Sequence, residues 1–142
     1  MKPAGDELRP DGGEAPAGYP QQEQLLDVRL VDRPDAVLVA VSGAIDILTA
    51  PRLRSALAVA LERLDDRPVV VDLTAVAFLG SPGLRALAES AEQASTKPGF
   101  QPLRLVVDHN RPVLRPIELT GYDALLALYH DVEDAVTGNA LN

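Results

Sequence analysis

The chain has 142 residues, of which 46% are apolar and 4% aromatic, and a formal net charge of −8. That length suits one domain whose core rests on Leu, Val, Ile and Ala. The acidity disfavours direct binding of nucleic acid or anionic membrane surfaces. The absence of cysteine excludes disulfides, thiolate metal sites and cysteine nucleophiles.

Residues 1–22 are rich in Pro and Gly and poor in large apolar side chains, which predicts a disordered tail. The domain is expected over 23–138, with 139–142 frayed. No apolar run approaches the ~18 residues of a membrane span. Met1–Gln24 has no hydrophobic signal core, so a cytoplasmic protein without membrane insertion is expected. Leu26, Val28 and Leu30 alternate with Asp27 and Arg29, the pattern of a half-exposed edge strand. After the turn Arg33-Pro34-Asp35, Ala36–Val41 is nearly all apolar and reads as a deeper strand, antiparallel to the first. Ser42–Asp46 is read as leaving that strand. Thr49 is the expected N-cap of a helix with Pro51 in its first turn, and Leu53, Leu57, Ala60, Leu61 and Leu64 form its apolar stripe.

The stretch Val69–Leu84 opens as a strand buried on both faces. It ends in Gly80-Ser81-Pro82-Gly83, a turn into a second helix with Ser81 as expected N-cap and Pro82 at the first helical position. In that helix Leu84, Leu87, Ala88 and Ala91 should face inward, while Arg85, Glu89 and Glu92 face out. Lys97-Pro98-Gly99 breaks it. Leu103–Val107 reads as a fourth strand, Val113–Leu119 as a short helix stopped by Gly121, Leu125–Tyr129 as a fifth strand, and Val132–Val136 as a last helix capped by Asp131. The order implies an α/β fold: a mixed, mostly parallel sheet of four to five strands with helices, the first strand antiparallel at an edge. The loops after the second, third and fourth strands should gather Asp46, Gly80–Gly83 and His109 at one end of the sheet.

Ser81, His109 and Asp46 or Asp108 are the candidates for a hydrolytic triad. The serine lacks the Gly-x-Ser-x-Gly elbow, so the plainer reading is a capping serine and a solvated histidine. His109 and His130 have no second ligand at a paired spacing, so no metal site is expected. Neither phosphate-binding glycine pattern is present around Gly80. Docking is the remaining use of this edge, with Arg85, Ala86 and Glu89 on the exposed side of the second helix.

Three segments resemble the STAS domain of bacterial anti-sigma factor antagonists. Val41-Ser42-Gly43-Ala44-Ile45-Asp46, with Ala50 and Leu53, is similar to the family's Gly-Glu-Leu-Asp segment and following helix. Val70–Leu84 is similar to its strand–Asp-Leu-Ser segment ending in Asp-Ser-Ser/Thr-Gly-Leu. Glu118-Leu119-Thr120-Gly121-Tyr122, with Leu128-Tyr129, is similar to the end of actinobacterial members. Together the segments cover about residues 24–137.

The resemblance implies a non-enzymatic binding module without a cofactor. Such a module docks on an anti-sigma factor with a kinase-like ATP-binding fold, which can release itself by phosphorylating the antagonist just before Gly-Leu. The implied partner-binding residues are Asp46, Gly80, Ser81, Pro82, Gly83, Arg85 and Glu89. Two positions depart from the pattern: Gly80 stands where the family has an acid, and Pro82 where it has the phosphoacceptor. A proline has no hydroxyl, so the usual switch is chemically impossible there. Ser81 is the nearest candidate phosphoacceptor, with its hydroxyl expected to be engaged in capping. The alternatives are a STAS subunit of an ABC-type lipid-transport complex or stress-signalling scaffold, and a small nucleotide-binding or hydrolytic enzyme.

Overall fold

Alternation of apolar and charged residues makes β1 (Leu26–Asp32) an edge strand, with Leu26 buried and Asp27 and Arg29 exposed. The computed structural model describes residues 26–63, 66–96, 102–120 and 126–138. The expected tail at 1–22, the frayed end at 139–142, Leu64, the break at Lys97–Gly99 and the cap at Gly121 lie outside those residues. The chain continues through β2 (Val37–Ile45), α1 (Ala50–Glu62), β3 (Val69–Leu79), α2 (Ser81–Ala94), β4 (Leu103–Val106), α3 (Arg111–Thr120), β5 (Leu126–Tyr129) and α4 (Val132–Thr137). Strand β2 therefore keeps Ser42–Ile45, which the sequence reading assigned to a loop. Helix α3 starts at Arg111, two residues early, with Pro112 in the first turn, where its missing donor costs little.

The sheet is mixed, with strand order β1-β2-β3-β4-β5. β1 pairs antiparallel with β2, and the remaining pairs are parallel. Its two faces carry separate apolar clusters. Val69, Val71 and Leu73 of β3 pack with Leu53 and Leu57 of α1, Leu87 and Ala91 of α2, and Val113 and Ile117 of α3. On the other face Val70, Val106 and Tyr129 pack with Ala135 of α4. The run Val69-Val70-Val71 is thus apolar without alternation because each side of it meets a helix layer. Helix α4 is fixed at both ends. Asp131 accepts from Asp134 N at 2.8 Å, and Gly138 takes the left-handed conformation (φ 90°). Arg104 Nη1 donates to Ala135 O at 2.6 Å.

β3 is the longest strand, and it is irregular. Its register with β2 slips between Ala40 and Ser42 and again between Gly43 and Ala44, each time placing one extra residue on β3. Bulges of this kind bend a strand and re-aim its side chains. Beyond Leu73 the buried positions fall on every third residue, Val76 and Leu79, while Thr74, Ala75, Ala77 and Phe78 are exposed. Gly43, at φ 105° opposite this segment, occupies a backbone region that other residues rarely adopt.

β4 pairs with β3 only from Val70 to Asp72, so among the described residues the upper half of β3 has no strand neighbour on that side. Asn110 substitutes for one. Its side-chain amide donates to Leu73 O at 2.9 Å and Val76 O at 2.8 Å, with a longer contact to Thr74 O at 3.3 Å. Removing a donor from buried carbonyls costs about 1–3 kcal/mol. Asn110→Ala should therefore lower unfolding stability by about 1–3 kcal/mol. Asn110→Asp, similar in shape but without the donor, should fall at least as far. Urea denaturation of both variants checks this, and wild-type stability in either one counts against the role.

Candidate functional site

The start of α2 sits on the ends of β2 and β3. Gly80 is the N-cap residue, with extended backbone (φ −88°, ψ 175°), and its N–H donates to Ile45 O at 2.9 Å. Gly83 N and Leu84 N both donate to Gly80 O, at 3.0 and 3.1 Å. Gly83 is pressed into the core: a Cβ there would stand 2.5 Å from Ile45 Cγ2 and 2.6 Å from Leu79 Cδ1. Glycine is required here by contact distance, since its φ is not in the left-handed range.

The assignment of Ser81 as N-cap is corrected. Ser81 is the first helical residue and Pro82 the second, and no side chain caps the helix. A residue already inside the helix directs its hydroxyl away from the free first-turn donors. The Ser81 side chain is exposed and makes no capping hydrogen bond.

Asp46 has a local structural role. Its Oδ1 accepts from Leu48 N at 2.9 Å and Thr49 N at 3.0 Å. Thr49 holds the N-cap position of α1, yet its hydroxyl does not cap the helix. It donates to Ala44 O at 2.8 Å and accepts from Asp46 N at 2.9 Å. The pair closes the β2–α1 turn from both sides, an arrangement typical of Asp and Thr beside a helix start.

That closed turn presents Ile47 and Leu48 to solvent, 75% and 56% exposed, and Phe78 is 52% exposed on the neighbouring strand end. The Phe78 ring covers Gly80, where an added Cβ would lie 3.0 Å from Phe78 Cε2. Ser81, Leu84, Arg85, Ala88, Glu89 and Glu92 line a shallow groove along the outer face of α2. Arg85 is exposed, and Glu89 pairs with Arg54 of α1 at 3.0 Å. Ala86, expected on the exposed side, is fully buried. Its position on α2 turns it toward the sheet.

Of the residues expected at this end of the sheet, Asp46 and Gly80–Gly83 come together through the Gly80–Ile45 hydrogen bond. Among the described residues, His109 makes its contacts with other groups. It meets Asp108 at 3.7 Å and His130, whose ring centroid lies 5.6 Å away. The triad arrangement of Ser81 with His109 is absent among the described residues, and the two histidines are not isolated as the sequence spacing suggested. Sequence reasoning also passed over Ile47, Leu48 and Phe78. The usable signal was an apolar pair directly after Asp46, in a turn where polar residues are the rule.

The family model described as STAS domain matches residues 27–135. The anti-sigma-F factor antagonist RsfB of Mycobacterium tuberculosis is 35% identical over 115 residues, covering 80% of this chain and 88% of RsfB. The crystal structure of an anti-sigma factor antagonist from Mycobacterium paratuberculosis superposes with a TM-score of 0.71 at 34% identity, over 80% of this chain and 92% of that one. An anti-sigma-factor antagonist (STAS) domain protein from Planctomyces limnophilus shares the fold, with a TM-score of 0.62 at 15% identity over 78% and 95% of the two chains.

Two substitutions separate the roles of the α2 start. Helix propensity alone would make Gly83→Ala stabilising by about 1 kcal/mol. Overpacking against Ile45, which is β-branched and fully buried, costs about 1–3 kcal/mol and should offset that gain, leaving a net loss of up to about 2 kcal/mol. Ser81→Ala, which removes no cap, should stay within about 0.5 kcal/mol of wild type. Thermal and urea unfolding measure both, and a loss near 1 kcal/mol for Ser81→Ala would restore the capping role.

Proposed function

The chain belongs to the STAS-domain family of anti-sigma factor antagonists, and from that premise we propose that it docks on an anti-sigma factor with a kinase-like ATP-binding fold. The docking surface is the end of the sheet around the start of α2. RsfB is named as an antagonist of an anti-sigma-F factor, so a factor of that type is the first partner to test. The observation that carries this reading is the exposure of three large apolar side chains at the ends of β2 and β3, Ile47, Leu48 and Phe78, the last with its ring against Gly80. Apolar area removed from water contributes about 25 cal/mol per Å², and residues held out of the core by a closed turn and a bulge can yield it to a partner without unfolding. Asp46, Gly80, Ser81, Pro82, Arg85 and Glu89 complete the proposed contact, with Gly83 acting from beneath as the seat of the helix.

The same reading makes this antagonist unswitched at the usual position. Pro82 carries no hydroxyl, so no phosphate can be attached there. Ser81 offers an exposed hydroxyl one residue earlier, on the outer surface of the helix. A phosphate on it would add about −1.5 to −2 charge to the docking surface.

Titration calorimetry against a kinase-like anti-sigma factor of the anti-sigma-F type tests the surface. Phe78→Ala and Leu48→Asp should each weaken binding at least about tenfold, or about 1.4 kcal/mol, with unfolding unchanged within about 0.5 kcal/mol. Wild-type affinity in both variants would remove this surface, and no binding to any such factor would remove the partner. Incubation of the complex with ATP and Mg²⁺ should leave the antagonist unmodified. Stoichiometric phosphate incorporation that disappears in Ser81→Ala would overturn the unswitched state.

A further inference from the structure

Beyond the ends of β4 and β5, the chain brings together both of its histidines. We propose that Asp108, His109 and His130 form a surface site for a divalent transition metal of the zinc, nickel and copper class. One ligand atom from each of the three residues can be chosen so that all lie within 4.8 Å of one another. Asp108 Oδ1 is 3.5 Å from His130 Nδ1 and 3.7 Å from His109 Nε2. Tetrahedral zinc, with bonds of about 2.0–2.2 Å to nitrogen and oxygen, holds adjacent ligand atoms roughly 3.3–3.6 Å apart. Two of the three separations are therefore near coordination geometry already, and rotation of an exposed imidazole closes the third.

The backbone carrying these groups is fixed. β4 and β5 pair in parallel up to Val106 and Tyr129, so the residues just beyond each strand emerge side by side. Val107 N and Asp108 N both donate to Tyr129 O, at 3.0 and 3.4 Å, immediately before His130. On the opposite side of His109, Asn110 is anchored to the carbonyls of β3. Most of the ordering entropy that a metal would otherwise have to offset is already lost on folding.

The donor set selects the class of ion. Two imidazoles and one carboxylate suit Zn²⁺, Ni²⁺ or Cu²⁺ and leave a position for water. Mg²⁺ and Ca²⁺ require several oxygen ligands, and this cluster supplies one carboxylate. Binding would tie the β4–α3 loop to the end of β5, two segments otherwise joined at this level by backbone hydrogen bonds to Tyr129.

Because the chain has two histidines in all, imidazole-dependent metal binding has one place to occur. Titration calorimetry of the untagged full-length chain with ZnCl₂, and with MgCl₂ as control, is the test. One saturable equivalent of Zn²⁺ and no Mg²⁺ response are expected. His109→Ala and His130→Ala should each weaken Zn²⁺ binding by at least about tenfold, since losing even an outer-shell partner of a ligand costs that much. The double variant should abolish it. Zinc should also raise the unfolding midpoint of the wild type and leave that of the double variant unmoved. No saturable binding at millimolar Zn²⁺ would overturn the site. So would affinity retained in the double variant, which would assign the metal to surface carboxylates elsewhere. Neither outcome depends on the anti-sigma factor, so failure here leaves the docking proposal standing.

Discussion

A missing side chain governs how α2 sits on the sheet. Gly83 lets the first turn of α2 descend until its backbone touches Ile45 and Leu79, at distances no Cβ could tolerate. That contact sets the height of the helix on the sheet. It brings Gly80 N within reach of Ile45 O, which joins the end of β2 to the end of β3 where ordinary strand pairing gives out. With the two ends joined, the carbonyl of Ile45 and the ring of Phe78 both lie against Gly80 at the helix start. Arg54 and Glu89 then meet across α1 and α2. As an exposed ion pair this contributes little energy, and the close seating of the helix carries the geometry.

The architecture was largely legible in the sequence because periodicity reports burial. Leu26, Val28 and Leu30 alternate since one face of β1 is wet, and Val69–Val71 do not since both faces of β3 are covered. What stayed hidden was the end of β2 and the upper half of β3. Ser42, Gly43 and Ala44 look like the start of a loop, yet they continue the strand because β3 beside them carries two extra residues. A bulge is a relation between two strands, and no window of a single strand can report it. Asn110 was invisible for the same reason. It stands in a polar loop like many other asparagines, and its acceptors lie 34 to 37 positions away in the chain.

At the site, sequence reasoning found the right loops and misjudged their chemistry. Ser81 followed by Pro82 reads naturally as N-cap followed by first helical residue, and the helix in fact begins one residue earlier. Gly80 can cap without a side chain at a cost of only a few tenths of a kcal/mol relative to serine, so the close approach at Gly83 decided the register over capping preference. Asp46 was singled out for its charge, and it also holds a turn shut. Ile47 and Leu48 were overlooked because an apolar pair before a helix is normally absorbed into a core. Here the hydrogen bonds of Asp46 and Thr49 turn that pair outward.

The proline at position 82 has a second consequence for what this surface can bind. The first turn of a helix attracts anions because several backbone N–H groups point outward without partners. In α2 that supply is small. Pro82 has no N–H, and the amides of Gly83 and Leu84 are directed at Gly80 O. Among the described residues, Ser81 N is left as the first-turn donor without a backbone acceptor. The partial positive charge of the helix end remains, but little is left of the hydrogen-bonding cradle that would hold a phosphate. Few anion donors beside three exposed apolar side chains are the physical ground for the unswitched docking contact proposed above. On the proposed reading, in which Pro82 stands at the phosphoacceptor position, the same residue also weakens the place where a phosphate would rest.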